Sequence, residues 1–169
     1  MTRATISLGA NLGEPRVALR GAVAGLEQHP SVHVLAVSGL WRTSAVGGPA
    51  QPDFINAVVL VDTMLDAGEL LSLAHDLEDA AGRVRAERWG PRTLDVDLIE
   101  VGDQRSDEPC LTLPHPRAHV RAFVLAPWAQ VDPHHVLAPV GQPAATVAHW
   151  AQAVVDQEVE LVERGTWWR

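Results

Sequence analysis

Asp95 and Asp97 are the side chains in this sequence whose type and spacing most directly suggest chemistry. The alternation around them predicts a strand, with both aspartates on one face and Leu94, Val96 and Leu98 on the other. Two carboxylates about 7 Å apart on one strand face repel each other, and a shared cation lets both stay ionised. All-oxygen ligation suits magnesium, which, when held by only one or two carboxylates, keeps positions for water and substrate phosphates. Arg83, Arg85, Arg88 and Arg92 lie just upstream. Guanidinium groups are planar, permanently charged forks that match phosphate oxygens. The same residues also fit a surface cluster in which arginines merely neutralise aspartates, for little energy. Trp89-Gly90-Pro91 favours the first reading, since an aromatic body, a hinge and a fixed φ suit a loop closing over a ligand.

Charge and composition narrow the possible partners. The net charge is −8, which argues against general nucleic-acid binding, an affinity that rests on neutralising phosphates with excess basic residues. All 13 basic residues are arginine, so a lysine-dependent phosphate loop and Schiff-base chemistry are excluded. Four of the 13 fall between Arg83 and Arg92, a basic patch in an acidic protein. No apolar run has the length of a membrane span, and Met1-Thr2-Arg3 leads into a strand pattern rather than a signal peptide. With the single Cys110, these features predict a cytoplasmic protein that takes small-molecule substrates. The 169 residues, without a repeat or linker, predict one domain.

Several elements must position the aspartates. Ala4 to Leu8 reads as a first strand, Gly9 to Gly13 as a turn, and Glu14 to Gln28 as a helix with its stripe at Leu19, Val23 and Leu26. A β-rich run from Val32 to Thr43 and a loop from Ser44 to Asp53 come next. The following strand, Phe54 to Asp62, has Ile55, Ala57, Val59 and Val61 on its apolar face. Phe54 and Asn56 share the other face, where a flat heterocycle could stack and be read by the amide, or where Asn56 could serve a neighbouring loop. Asp66 and Glu69 resemble a capping pair opening a second helix that ends near Gly82. On that helix His75 and Glu78 face either a ligand or solvent. The Asp95/Asp97 strand continues to Val101, and Gly102 to Glu108 reads as a polar turn. His115, between Pro114 and Pro116, has a constrained backbone that fixes its ring for phosphate contact or for capping the next helix. Phe123 to Trp128 and Ala144 to Val155 read as helices, and Glu158 to Leu161 as a last strand.

Taken together, these residues resemble the 6-hydroxymethyl-7,8-dihydropterin pyrophosphokinase family. The resemblance rests on Gly9-Ala10-Asn11-Leu12, Arg42-Thr43, Gln51 to Ala57, Gly82 to Arg85, Arg88 to Asp97, Leu113 to Arg117 and Arg121-Ala122-Phe123. It implies transfer of the terminal pyrophosphoryl group of ATP to the hydroxymethyl group of a reduced pterin, releasing AMP, in folate biosynthesis. It also implies an α+β, ferredoxin-like sandwich, an antiparallel sheet flanked by helices on both sides, acting as a monomer. Asp95 and Asp97 match the ligands of two magnesium ions, and Asp97, or a metal-bound oxygen near it, is a candidate for taking the hydroxyl proton. Arg83, Arg92 and Arg121 match phosphate-facing arginines, and His115 a nucleotide-contacting histidine. Arg85, Arg88, His75 and Glu78 join the expected nucleotide set. Phe54, Asn56 and Phe123 match the pterin pocket, with Thr43, Ser44 and Val46 lining it and Asp95 beside the substrate. Trp89 matches a residue of a loop closing over both substrates.

The chain departs from the family pattern at His75, where glutamine is frequent, and at Ser44, where proline is frequent. Trp167 and Trp168 match no motif and fit either packing on the body or contact with another chain. Two other classes use the same residues. A magnesium-dependent nucleotide hydrolase would split ATP without a pterin, and a binding regulator would hold ATP and turn nothing over.

Overall fold

The computed structural model describes residues 1–45, 48–82 and 93–169. Val46 and the stretch carrying Arg83, Arg85, Arg88, Trp89 and Arg92 lie outside the described residues.

Strand β1 (Thr2–Ala10) is central in a six-stranded antiparallel sheet, between β4 (Phe54–Thr63) and β5 (Asp95–Val101). Ladder partners on both sides extend it beyond the expected Ala4 to Leu8. The expected run from Val32 to Thr43 is two strands, β2 (Val32–Val37) and β3 (Leu40–Thr43), which pair in succession with β4. They part at Ser38-Gly39, where Ser38 Oγ donates to Gly39 O at 2.8 Å and accepts from Val58 N at 2.9 Å. Glycine is required there, since a Cβ would lie 2.6 Å from Glu163 O. That carbonyl belongs to β10 (Val159–Glu163), which pairs with the outer edge of β3.

The connections carry α1 (Pro15–Gln28) and α2 (Ala67–Ala80), so the order is β1-α1-β2/β3-β4-α2-β5 with β1 between β4 and β5. This is the ferredoxin-like βαββαβ arrangement. α1 starts with Pro15 in its first turn and buries Leu19, Ala22, Val23 and Leu26, the i, i+3, i+4, i+7 stripe of a helix on a sheet. α2 opens with the expected capping box: Glu69 N donates to Asp66 Oδ1 at 2.8 Å and Asp66 N to Glu69 Oε2 at 2.9 Å. Both helices cover one face, where Leu8, Val59, Val61, Val96 and Leu98 join their stripes in a first core. α3 (Ala122–Val131) and α4 (Val147–Ala153) belong to a second core with Val58, Leu60 and Ile99. β4 thus sends alternate residues into two cores, as a strand buried on both faces must.

Two expectations are corrected. The helix predicted from Ala144 to Val155 begins only at Val147, because Thr146 serves as its N-cap, accepting from His149 N at 3.1 Å. Ala145 and Thr146 instead form β9 (Ala145–Thr146) against β8 (Val136–Leu137). The polar turn after β5 ends before Ser106, where β6 (Ser106–Glu108) begins a hairpin with β7 (Leu111–Leu113). At the C-terminus Trp167 is buried in the first core and donates Nε1 to Ser38 O at 2.8 Å, so the tail packs on the body.

Beside β5, His135 stacks on Trp128 and pairs with Glu100 at 2.5 Å. The Glu100 carboxylate holds the imidazole pKa above its ordinary 6.5. A histidine stabilised as the cation contributes fully below the unfolded pKa near 6.5, and the contribution is lost as pH rises through the raised folded value. Thermal unfolding measured across this range should show a decline in Tm above pH 6.5 that is smaller in His135→Gln. Parallel Tm profiles for the two proteins would remove the pair from the pH dependence.

Candidate active site

Four strand ends meet at one end of the sheet. Gly9 lies between Asn56 of β4 and Asp95 of β5, and Ser7 between Val58 and Asp97. Two strand spacings, roughly 10 Å, therefore separate the positions of Asp95 and Asn56. Thr43, at the end of β3, is opposite Phe54. Since Val96 and Leu98 enter the first core, Asp95 and Asp97 face the other way, toward the layer of α3. Asn56 and Phe54 share that face, because they alternate with Ala57 and Ile55 on the opposite one.

Asn56 is buried and donates Nδ2 to Thr43 Oγ1 at 3.0 Å, so the buried amide does serve its neighbouring strand. Its Oδ1 lies where a side chain on residue 9 would intrude, 3.1 Å from a Cβ built on Gly9. Glycine in the Gly9-Ala10-Asn11 motif thus lets β1 pass close to this amide. Asn11, to which the sequence reading gives no role, is buried and donates to Gln51 Oε1 and Pro52 O, both at 2.9 Å. It ties the end of β1 to the loop that delivers Phe54. Ser44 is exposed just past Thr43. Thr43, Ser44, Asp53 and Ala122 line one side of an open cavity of about 630 Å³ that runs on along Ala151, Gln157 and Glu160, and Phe54, Asn56 and Phe123 are not among its lining residues.

The chain after β7 brings cations over the aspartates. His115 N donates to Ile99 O at 2.8 Å, which anchors the segment on β5. His115 Nδ1 accepts from Arg117 N at 3.2 Å, so the ring folds onto the start of the 3-10 turn at Ala118–Val120. That bond assigns the remaining proton of the neutral ring to Nε2. Burial, reinforced by Arg121 and Arg117, pushes the His115 pKa down to about 4 against the opposing pull of Asp95. The ring is therefore neutral at physiological pH and can donate from Nε2. Burial also lowers the Arg121 pKa, while Asp97 and Asp95 oppose that shift and Arg117 adds to it. A guanidinium remains charged under such a shift, so Arg121 is a cation facing two carboxylates. Its Cζ lies 5.3 Å from the centre of the ring of Phe123, in the first turn of α3.

Of the two expectations for Glu78, burial corrects the solvent-facing one. It is 2% exposed, and its Oε1 accepts from Val96 N at 2.9 Å. β5 is an edge strand, and this carboxylate satisfies an outward N–H between the two aspartates. His75, one turn earlier on α2, is half-buried.

The aspartates fit magnesium in donor chemistry. Among the described residues no group of three or more His, Cys, Asp or Glu side chains could hold a metal. Two carboxylates on one strand face offer only oxygen, which suits an ion that completes its shell with water and phosphate.

Comparison with known proteins finds relatives of this chain. A family model described as 7,8-dihydro-6-hydroxymethylpterin-pyrophosphokinase matches residues 5–133. The chain is 42% identical over 153 residues to the 2-amino-4-hydroxy-6-hydroxymethyldihydropteridine pyrophosphokinase of Mycobacterium tuberculosis, covering 85% of this chain and 79% of that protein. It is 44% identical over 138 residues to the protein of the same name from Methylorubrum extorquens, covering 81% and 87%. Among solved structures, wild-type HPPK-DHPS of Plasmodium falciparum superposes with a TM-score of 0.67 at 13% identity. That match covers 92% of this chain and 44% of the longer one, and at such identity it supports the fold alone.

Proposed function

Because the chain belongs to the 7,8-dihydro-6-hydroxymethylpterin-pyrophosphokinase family, we propose that it transfers the terminal pyrophosphoryl group of ATP to the hydroxymethyl group of 6-hydroxymethyl-7,8-dihydropterin. AMP is the other product, and the step belongs to folate biosynthesis. The observation that carries the reading is the joining, at one sheet end, of a carboxylate pair faced by Arg121 and His115 with the Asn56–Thr43 pair and two aromatic side chains. A hydrolase needs only the first half of that arrangement.

In this reading Asp95 and Asp97 hold magnesium, two ions by family resemblance. Bound there, magnesium would neutralise phosphate charge and draw the nucleotide into line. Arg121 meets the outer phosphate oxygens, and neutral His115 donates Nε2–H to the nucleotide. Phe54 and Phe123 supply aromatic surface for the pterin, with Asn56, Thr43 and Ser44 at its polar edge. Arg83, Arg85, Arg88, Arg92, Trp89 and Val46 keep their proposed roles on resemblance alone. Phosphoryl transfer needs alignment and charge neutralisation more than covalent participation, and these residues are of the types that provide both. The working unit is taken to be a single chain.

Product analysis by chromatography tests the reading, with ATP, magnesium and the reduced hydroxymethylpterin each omitted in turn. AMP should form in step with a pyrophosphorylated pterin, and only in the complete mixture. ADP, or AMP formed without pterin, would establish the hydrolase instead. Tight ATP binding with no product would establish a regulator.

A further inference from the structure

Helix α3 delivers both Arg121 and Phe123, yet its N-terminus has no cap of its own. Arg121 is the N-cap residue and its side chain makes no capping bond, so the first amides of the helix need another acceptor. Ala122 N donates to Gln157 Oε1 at 3.0 Å, and Gln157 Nε2 donates back to Val120 O at 2.8 Å. These two backbone groups belong to the peptide planes on either side of the Arg121 Cα. One side-chain amide therefore pins both planes, as a neighbouring strand would, with Arg121 in an extended conformation at φ −114° and ψ 109°. The backbone of Gln157 is held, because its N donates to Val154 O at 3.0 Å and Val154 is buried in the second core, while its side chain reaches Arg121 from the exposed surface. It also lies beyond residues 5–133, the stretch that matches the family model.

We propose that Gln157 is a positioning residue, which sets the direction of Arg121 over the Asp95/Asp97 face by clamping the backbone on both sides of it. The proposal rests on the pyrophosphoryl-transfer reading for its kinetic consequence, but not for its structural one. Glutamine suits the task because a single planar group offers one acceptor and one donor. Glutamate would set a second acceptor against Val120 O, and leucine would offer neither bond.

The test uses the full chain. Gln157→Leu should lower kcat/KM for ATP by about three- to tenfold, the span expected when a backbone clamp of this strength is released. Affinity for a non-cleavable α,β-methylene analogue of ATP with magnesium should fall in the same proportion. That affinity stays measurable when turnover is lost, so it can be read in Arg121→Ala as well. In that background Gln157→Leu should have no further effect, because the residue acts through Arg121. An equal loss in both backgrounds, or no loss in either, would overturn the proposal. Gln157→Glu, which keeps an acceptor for Ala122 N and loses the donor to Val120 O, should show a loss in the same direction, and it replaces leucine in the cycle should that variant not fold. Hydrogen exchange at the Ala122 amide gives a readout free of activity: it should rise in Gln157→Leu. Unchanged exchange there defeats the clamp itself, whereas a wild-type chain that makes no AMP defeats only the catalytic reading.

Discussion

Asp97→Ala and Asp95→Ala are each expected to lower kcat by about a thousandfold, the scale seen when one preorganised electrostatic group is removed from a charged transition state. Tm should stay within about 4 °C, because both side chains lie outside the two hydrophobic cores. Both are half-exposed on an edge strand whose core contacts come from Val96, Leu98 and Ile99. Removing one relieves repulsion from the other and also removes an attraction to Arg121, two effects of opposite sign. Asn variants, which keep the shape and lose the charge, should be nearly as impaired, and their residual activity should demand more magnesium. Kinetics at several magnesium concentrations with a thermal melt of each variant decide the matter. Full turnover in either alanine variant would take that carboxylate out of the reaction, and a collapsed melt would recast it as structural.

The features that could be read in the sequence are those written in local pattern. Asp95 and Asp97 could be assigned to one face because Val96 and Leu98 needed the other, and a strand offers only two. Asp66 and Glu69 announced α2 because both halves of a capping box lie within four residues. What could not be read depends on distant partners. Within the run from Val32 to Thr43 Ser38-Gly39 is a turn-prone pair, but whether the strand breaks there depends on Val58, Glu163 and Trp167, which meet it from other elements. β8 and β9 are two residues each, too short to show a period. Gln157 reaches Ala122 across 35 residues, a contact that no periodicity encodes. The burial of Glu78 was hidden by its charge: its place on α2 one turn from buried Ala74 pointed inward, but a carboxylate is rarely assigned to a core.

Glu78→Ala should therefore destabilise the fold as well as slow the reaction. The substitution leaves Val96 N–H without its acceptor in a site only 2% exposed, and it opens a void between α2 and β5. An orphaned buried donor and a cavity together cost about 3 kcal/mol. For a chain of this size that is a Tm lower by roughly 6–12 °C. Activity at a temperature where the variant is folded should also fall, because Val96 lies between Asp95 and Asp97 and its amide helps fix the pitch of that segment. Glu78→Gln keeps an oxygen acceptor for Val96 N and should recover much of the Tm. The contrast with a nucleotide contact is sharp, since a residue that only touched ATP would raise KM and leave the melt alone. A Glu78→Ala protein with unchanged Tm and weakened ATP affinity would return Glu78 to the ligand. A large drop in Tm, partly restored by glutamine, would place it beneath the aspartates as the support that lets an edge strand hold two like charges side by side.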